Sequence, residues 1–176
     1  MREKNKPREG LIRLGRELSR LCKEGGVKFI VNDDPLIAKE VVADGVHLGQ
    51  DDIRKISVKE ARRILGRDKI IGISTKSLVE IEAINDEDVD YIAYGPVFCT
   101  AIKDKCVGTK DIDKVLRAAR KPVYFIGGIT LSNVDELLSS GAKNISLIRG
   151  ITEADDIASA AGSFRRKLDA EKSLLN

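Results

Sequence analysis

Short apolar runs alternate along the 176-residue chain with stretches whose apolar residues recur at helical spacing. The runs are near-continuous in aliphatic residues, which is typical of strands buried on both faces of a parallel sheet. The intervening stretches carry apolar stripes, of which Leu11, Leu14, Leu18 and Leu21 form the first. The predicted strands are Val27–Asp33, Gly45–Gly49, Ile70–Thr75, Tyr91–Phe98, Pro122–Ile129 and Asn144–Ile151.

The order of these elements indicates repeated βα units in a single domain over residues 1–176. S-x-x-E capping boxes at Ser57–Glu60 and Ser77–Glu80 mark two helix starts. The first predicted element is a helix, Arg8–Lys23, whereas a parallel α/β fold normally opens with a strand. Six strands and seven helices are therefore expected, in an unusual open sheet or in a barrel whose beginning is missing.

Composition narrows the class of protein. Charged residues make up 34% of the chain, with both signs interspersed and a net charge of +3, so a dedicated nucleic-acid binder is not expected. No apolar run approaches the ~20 residues of a membrane span, and no secretory signal opens the chain. Three cysteines without disulfide-like spacing predict reduced thiols in a cytoplasmic protein. A metal site built from Cys99 and Cys106 is disfavoured, because only His47 could join them.

Acidic residues follow the first two predicted strands. Asn32-Asp33-Asp34 ends one strand, and Asp51 and Asp52 follow the next. Because parallel strands end at the same edge of a sheet, carboxylates from both could hold Mg2+ beside a phosphorylated substrate. The alternative is that Asp34 and Asp51 only cap the following helices.

Two later strand ends are suited to phosphate. Gly127-Gly128 precedes a helix, and Ile148-Arg149-Gly150 follows the last strand, where barrels often hold a phosphate group. The Gly95-Pro96 break leads into a loop of hydroxyl and ammonium groups, which could equally be a solvated charged loop. His47 lies inside a strand pattern, where hydrogen-bonded packing is more common than acid–base catalysis.

Taken together, these segments resemble the thiamine-phosphate synthase family from the first residues to about Ile151. The matching stretches include Ala43–Gln50 (ADGVHLGQ), Asp90–Phe98 (DYIAYGPVF) and Ile126–Ile129 (IGGI). The resemblance implies a (β/α)8 TIM-barrel type, incomplete, with about six βα units and the first two strands missing. A late start codon, pairing with another copy in a homo-oligomer, and a decayed gene remain open as explanations for the missing strands, and the first is favoured.

The resemblance also implies an activity and a set of site residues. The family condenses hydroxymethylpyrimidine diphosphate with thiazole phosphate, releasing pyrophosphate and making thiamine phosphate. By resemblance, Asp33 and Asp52 hold Mg2+, and Ser74 lies near the pyrimidine. Lys103, which bridges to the departing diphosphate, and Ser74 are the catalytic residues that the resemblance implies. The remaining residues bind substrate: Arg2, Lys4 and Asn32 the diphosphate, and Thr100, Gly128, Ile148 and Arg149 the thiazole phosphate.

Several departures from the family pattern keep two rival functions open. Ile102 replaces a threonine in the loop, and Arg149 replaces a serine after Ile148, so a non-catalytic phosphate-binding barrel fragment is one rival. A thiazole tautomerase is the other, but Lys76 stands where that enzyme needs a histidine. The expected partners are phosphorylated small molecules, without nucleic acid or membrane.

Overall fold

The computed structural model describes residues 1–99 and 105–174, with side chains to residue 170. Within these ranges, strands and helices alternate as the sequence predicts. The strands are β1 (Ile30–Asn32), β2 (Gly45–Leu48), β3 (Ile70–Thr75), β4 (Tyr91–Tyr94), β5 (Val123–Ile126) and β6 (Ile145–Ser146). The helices are α1 (Arg8–Glu24), α2 (Pro35–Glu40), α3 (Gln50–Ile53), α4 (Val58–Leu65), α5 (Leu78–Ile84), α6 (Ile112–Ala118), α7 (Val134–Ser139), α8 (Arg149–Thr152) and α9 (Ile157–Leu174).

The chain divides into two compact units, each with three of the six strands. The first unit comprises Met1–Ser74 and Asp86–Tyr91. The second comprises Thr75–Asn85 and the chain from Ile92 onward. The expectation of a single domain over the whole chain stays a prediction.

In the first unit, β1, β2 and β3 pair in parallel and in sequence order. Val31, Val46 and Ile71 from the three strands are all buried and form the centre of its core. The first residue of the chain extends this arrangement. The Met1 ammonium donates to the Ile30 carbonyl at 2.5 Å, and the Met1 carbonyl accepts from the Asn32 amide at 2.9 Å, which is the bonding pattern of a parallel neighbour.

Local capping explains where helices of the first unit begin. The Asp34 carboxylate accepts from the amides of Leu36 and Ile37 at 2.8 and 3.0 Å, with Pro35 at the first helical position. The Ser57 hydroxyl accepts from the Glu60 amide at 3.2 Å and so starts α4 as the sequence predicts. Asp34 is thus a helix cap, which was the alternative to a metal role.

The second unit carries the parallel strands β4, β5 and β6. Phe125 on β5 is fully buried, together with Ile92 on β4 and Ile112 and Leu137 on the flanking helices. The side chain of Asn85 joins two helix ends, because its amide donates to the Ala118 carbonyl at 2.9 Å. These contacts give the unit a core of its own.

The predicted strands are confirmed in number, and β3 matches its predicted bounds, while the other five are shorter. Nine helices occur in the described ranges instead of the seven predicted, because α3 and α8 are single short turns that carry no apolar period. No helix among the described residues combines the length and apolarity needed to cross a bilayer.

The prediction of three reduced thiols is wrong for two of them. Cys99 and Cys106 form a disulfide with a Cα–Cα distance of 4.9 Å, and Cys22 is a free thiol. The physical reason is a chain reversal. The amide of Val107 donates to the carbonyl of Pro96 at 2.8 Å, which brings the chain after Cys106 back beside the segment that precedes Cys99.

Candidate active site

Two carboxylates meet at the strand ends of the first unit. Asp33 directly follows β1, and its amide donates to the carbonyl of His47 at 2.8 Å. Its backbone has φ +74°, a left-handed conformation that non-glycine residues adopt mainly at functional or tightly constrained positions. Asp52, in α3 after β2, accepts from the Gly49 amide at 2.8 Å. The structure therefore brings together the two residues that the sequence predicts as metal ligands.

The surroundings of Asp33 change the pKa of its carboxyl. Burial raises the pKa of the Asp33 carboxyl above 3.8, and the charge of Asp52 raises it further. The Asn32 amide, whose nitrogen is 3.4 Å from the Asp33 carboxylate, and the ammonium of Lys4 oppose this pKa rise. Two facing carboxylates supply oxygen ligands of the kind a divalent cation prefers. Within the described part of the chain, no cluster of three or more His, Cys, Asp or Glu side chains forms a metal site.

Basic side chains lie beside this acidic pair. Met1 runs next to β1, so Arg2 and Lys4 follow it near the ends of the strands, and both are exposed. The influence of Lys4 on the pKa of Asp33 shows that its ammonium is close to the carboxylate. Arg2, Lys4, Asn32, Asp33 and Asp52 thus occur in one unit.

Ser74 also lies in this unit, and its hydroxyl is within hydrogen-bond distance of a histidine ring. His47 Nε2 lies 2.8 Å from the Ser74 hydroxyl, and His47 Nδ1 lies 2.9 Å from the hydroxyl of Tyr91. Burial lowers the pKa of His47 to about 4, so the imidazole is neutral at pH 7. The Gln50 side chain donates to the Ser74 carbonyl at 2.7 Å. The sequence predicts Ser74 as a site residue, but it gives no role to Tyr91 and Gln50, although both lie in stretches that resemble the family.

In the second unit, the Gly127-Gly128 turn has a left-handed backbone and little space for a side chain. Both residues have positive φ, +102° and +65°, and a Cβ at Gly128 would lie 2.5 Å from the carbonyl oxygen of Phe98. Asn133 fixes the turn, because its amide donates to the Gly128 carbonyl at 2.9 Å and its side-chain oxygen accepts from the Thr130 amide at 2.8 Å. Glycine is therefore needed here for both conformation and space.

The last predicted residues lie at α8. Ile148 precedes this helix and Arg149 begins it, and both side chains are exposed. A Cβ on Gly150 would be 2.9 Å from the Ile129 carbonyl oxygen, so the start of α8 packs against the segment that follows Gly128. The structure thus brings Arg149 and the glycine turn into one region of the second unit. Two predicted site residues, Thr100 and Lys103, lie outside the described residues.

Together, the fold and these residues indicate a class of protein: an α/β enzyme of the (β/α)8 type. Residues 1–151 match the family model described as thiamine monophosphate synthase. A thiamine-phosphate synthase from Persephonella marina is 40% identical over 158 residues, covering 89% of this chain and 74% of the relative. One from Halalkalibacterium halodurans is 38% identical over 172 residues, covering 96% and 80%.

A solved structure supports the same assignment. Thiamine phosphate pyrophosphorylase from Pyrococcus furiosus superimposes with a TM-score of 0.87 at 32% identity, covering 97% of this chain and 82% of that chain. The chain belongs to the thiamine monophosphate synthase family. The expected fold class is thereby confirmed.

Proposed function

We propose that the chain condenses hydroxymethylpyrimidine diphosphate with thiazole phosphate to give thiamine phosphate and pyrophosphate. The observation that carries this proposal is family membership over residues 1–151, combined with an acidic pair at the strand ends of one unit and a glycine turn in the other. In this transferase reaction the C–O bond between the pyrimidine methylene and the diphosphate breaks, and its electrons leave with pyrophosphate. The thiazole nitrogen then bonds to the methylene carbon.

Asp33 and Asp52 are the residues that would hold Mg2+. The fit rests on their chemistry in this chain, since the charge of Asp52 raises the pKa of Asp33 and a divalent cation removes that repulsion. When bound, Mg2+ neutralises negative charge on the diphosphate leaving group. Only two side-chain ligands are available, which suits an ion that completes its coordination with water and phosphate oxygens.

The basic residues of the first unit are assigned to the diphosphate. Lys4, Arg2 and the Asn32 amide bind its oxygens, and Lys103 bridges to it as it departs. Ser74 binds the pyrimidine. Since no side chain becomes covalently attached to substrate, these residues act by orienting the diphosphate and stabilising the charge that develops on it.

The glycine turn of the second unit is assigned to the thiazole phosphate. Backbone amides near Gly128 bind its oxygens, with the Thr100 hydroxyl and the backbone at Ile148. Arg149 adds a guanidinium that can form two parallel hydrogen bonds to phosphate. The positive φ of Gly127 and Gly128 supports this assignment, because successive backbone N–H groups in such a turn can bind an anion.

The proposed location is the cytoplasm, because both substrates are charged phosphate esters that do not cross membranes unaided. The disulfide between Cys99 and Cys106 is unusual for a reducing compartment, although intracellular proteins of hyperthermophiles are rich in disulfides. A homo-oligomer is part of the same proposal, and light scattering of the purified chain tests it.

Neighbouring carboxylates provide a matched test of the metal assignment. Asp52→Asn should reduce Mg2+-dependent turnover by roughly 100-fold or more, because the variant loses one of two charged ligands. Asp51→Asn is the control, since Asp51 is exposed on the same helix and pairs with Arg54 at 3.2 Å. Equal turnover in both variants would contradict the assignment. Saturable binding of thiazole phosphate without any pyrophosphate release would instead favour a non-catalytic phosphate-binding chain.

A further inference from the structure

The only histidine of the chain joins two hydroxyl groups in the interior of the first unit. His47 contacts the Tyr91 hydroxyl through Nδ1 at 2.9 Å and the Ser74 hydroxyl through Nε2 at 2.8 Å. Its ring also stacks on the Tyr91 ring, with centroids 5.6 Å apart and an interplanar angle of 26°. Both ring nitrogens are therefore occupied, and the imidazole has a fixed orientation.

Strand register places the histidine and the serine on one face of the sheet. His47 on β2 pairs with Gly72 on β3. Ser74 lies two residues beyond Gly72, and side chains two residues apart on a strand point to the same face. A Cβ at Gly72 would collide with the Tyr91 ring, so the missing side chain at residue 72 is what gives Tyr91 access to His47.

A buried arginine anchors the residue that precedes Tyr91. The Asp90 carboxylate accepts from Arg62 and from the Ile71 amide, each at 2.8 Å. The Asp90 amide in turn donates to the Ile71 carbonyl at 2.8 Å. Asp90 is thereby bonded to β3 through both its backbone and its side chain, and Tyr91 starts β4 from a fixed position.

A neutral imidazole has one donor and one acceptor nitrogen, so its two partners cannot be treated alike. A phenol is a stronger hydrogen-bond donor than an aliphatic hydroxyl, since its proton is more acidic. The favoured arrangement has the Tyr91 hydroxyl donating to Nδ1 and the Nε2–H donating to the Ser74 oxygen. The proton of Ser74 is then left to donate to a ligand.

We propose that His47 is a positioning residue, held by Tyr91, that fixes the Ser74 hydroxyl as a hydrogen-bond donor to a ring nitrogen of the pyrimidine substrate. This inference rests on the proposed function for the identity of the substrate. Tyr91 and Gly72 help His47 to orient the Ser74 hydroxyl, although neither is assigned to substrate. The orientation of this hydroxyl determines which edge of the pyrimidine ring Ser74 recognises.

Nitrogen NMR of the 15N-histidine-labelled chain tests the arrangement without any turnover. A single histidine gives a single imidazole, whose two nitrogen shifts identify the protonated nitrogen. We expect the Nε2–H tautomer at pH 7 in the substrate-free protein, and a mixture of tautomers in Tyr91→Phe. An Nδ1–H tautomer in the unsubstituted chain would overturn the proposal, whatever the activity of the protein.

Steady-state kinetics give the second test. Tyr91→Phe and Ser74→Ala should each raise the KM for the pyrimidine diphosphate about tenfold, the effect of one hydrogen bond, and leave the KM for thiazole phosphate unchanged. The KM of the double variant for the pyrimidine diphosphate should equal that of Ser74→Ala alone, because both substitutions remove the same hydrogen bond to the substrate. Ser139→Ala, which removes an exposed hydroxyl from the end of α7 in the other unit, is the control and should behave like the unsubstituted chain.

The kinetic outcomes separate this inference from the proposed function. Independent, multiplicative effects of Tyr91→Phe and Ser74→Ala on KM would overturn the inference while leaving the transferase activity in place. Absence of turnover in the unsubstituted chain would overturn the proposed function. In that case the tautomer measurement still decides whether His47 holds Ser74 in the proposed way.

Discussion

The guanidinium of Arg62 donates a 2.8 Å hydrogen bond to the carboxylate of Asp90. Arg62 lies on α4, before β3, and Asp90 directly precedes Tyr91. Arg62 is buried on α4 and also donates to the carbonyls of Gly66, Lys69 and Asp88. One side chain therefore satisfies carbonyls from two separate loops of the first unit. Arg62 is therefore a structural residue, because its guanidinium joins these carbonyls to the Asp90 carboxylate.

Replacing Arg62 should destabilise the chain strongly. Arg62→Ala removes the buried guanidinium that bonds backbone carbonyls and the Asp90 carboxylate, which costs ~2 kcal/mol of unfolding free energy, because solvent screens the partly exposed Asp90. Urea denaturation measures the change. Arg63→Ala is the matched control, because Arg63 is exposed on the same helix, and its effect should stay within about 0.5 kcal/mol. Similar losses in the two variants would show that the network around Arg62 contributes little.

The acidic pair predicts opposite effects of one substitution on stability and on metal binding. Because the pKa of Asp33 is raised in the folded chain, the folded chain holds this proton more tightly than the unfolded chain does. Its contribution to stability is fully present below the unfolded pKa and is lost as pH rises through the folded pKa, so ionised Asp33 lowers stability at pH 7. Asp33→Asn should therefore raise the melting temperature of the metal-free chain at pH 7. Added Mg2+ should raise the melting temperature of the unsubstituted chain but not of the variant. A Mg2+-induced rise that persists in Asp33→Asn would argue against this residue as a ligand.

The buried histidine predicts a loss of stability in mild acid. The pKa of His47 is about 4 in the folded chain, against 6.5 for an unperturbed histidine. The unfolded chain therefore binds more protons between these values, and stability falls by up to ~3 kcal/mol as pH drops from 6.5 to 4. Denaturation of His47→Gln across this pH range gives the comparison, because the variant should lack this part of the slope. An unchanged slope would show that His47 titrates normally.

The disulfide predicts a simple labelling pattern. Alkylation of the unfolded, unreduced chain should modify one thiol, Cys22, and reduction should expose all three cysteines. Because the bridged residues are separated by 7 positions, the bond should contribute about 2 kcal/mol to stability. Mass spectrometry of the labelled chain counts the thiols directly. Three labels without reduction would mean that Cys99 and Cys106 are not joined.

The glycine turn predicts a substrate-specific defect. Gly128→Ala should raise the KM for thiazole phosphate and leave that for the pyrimidine diphosphate unchanged, because the new methyl group pushes against the Phe98 carbonyl and displaces the turn. Gly66→Ala controls for backbone strain alone, since Gly66 has φ +95° but no atom within 4 Å of its Cβ position. An equal rise in KM for both substrates would mean that Gly128→Ala disturbs folding and not phosphate binding in particular.

Hydrophobic pattern was sufficient to predict the six strands but not their ends. The predicted strand Pro122–Ile129 stops at Ile126, because Gly127 and Gly128 adopt positive φ while the apolar run continues through Ile129. Likewise, the run from Val27 becomes a strand only at Ile30. Phe29 and Ile129 are buried beyond the ends of the hydrogen-bonded strands, whereas Val27 is exposed, so an apolar run does not mark where a strand begins or ends.

The sequence could predict which residues at strand ends lie close together, but not the contacts that depend on strand register. Asp33 and Asp52 follow adjacent strands, so their proximity could be predicted from order alone. The contact between Tyr91 and His47 depends on Gly72 facing the histidine across two strands. The disulfide escaped prediction for the same reason, because it follows from a chain reversal that has no sequence signature.

The most direct measurement is the conversion of isotope-labelled thiazole phosphate by the purified 176-residue chain, given hydroxymethylpyrimidine diphosphate and Mg2+. Labelled thiamine phosphate and pyrophosphate should accumulate in equal amounts, and chelation of Mg2+ should stop both. Binding of both substrates without either product would contradict the assignment of this chain as an active transferase.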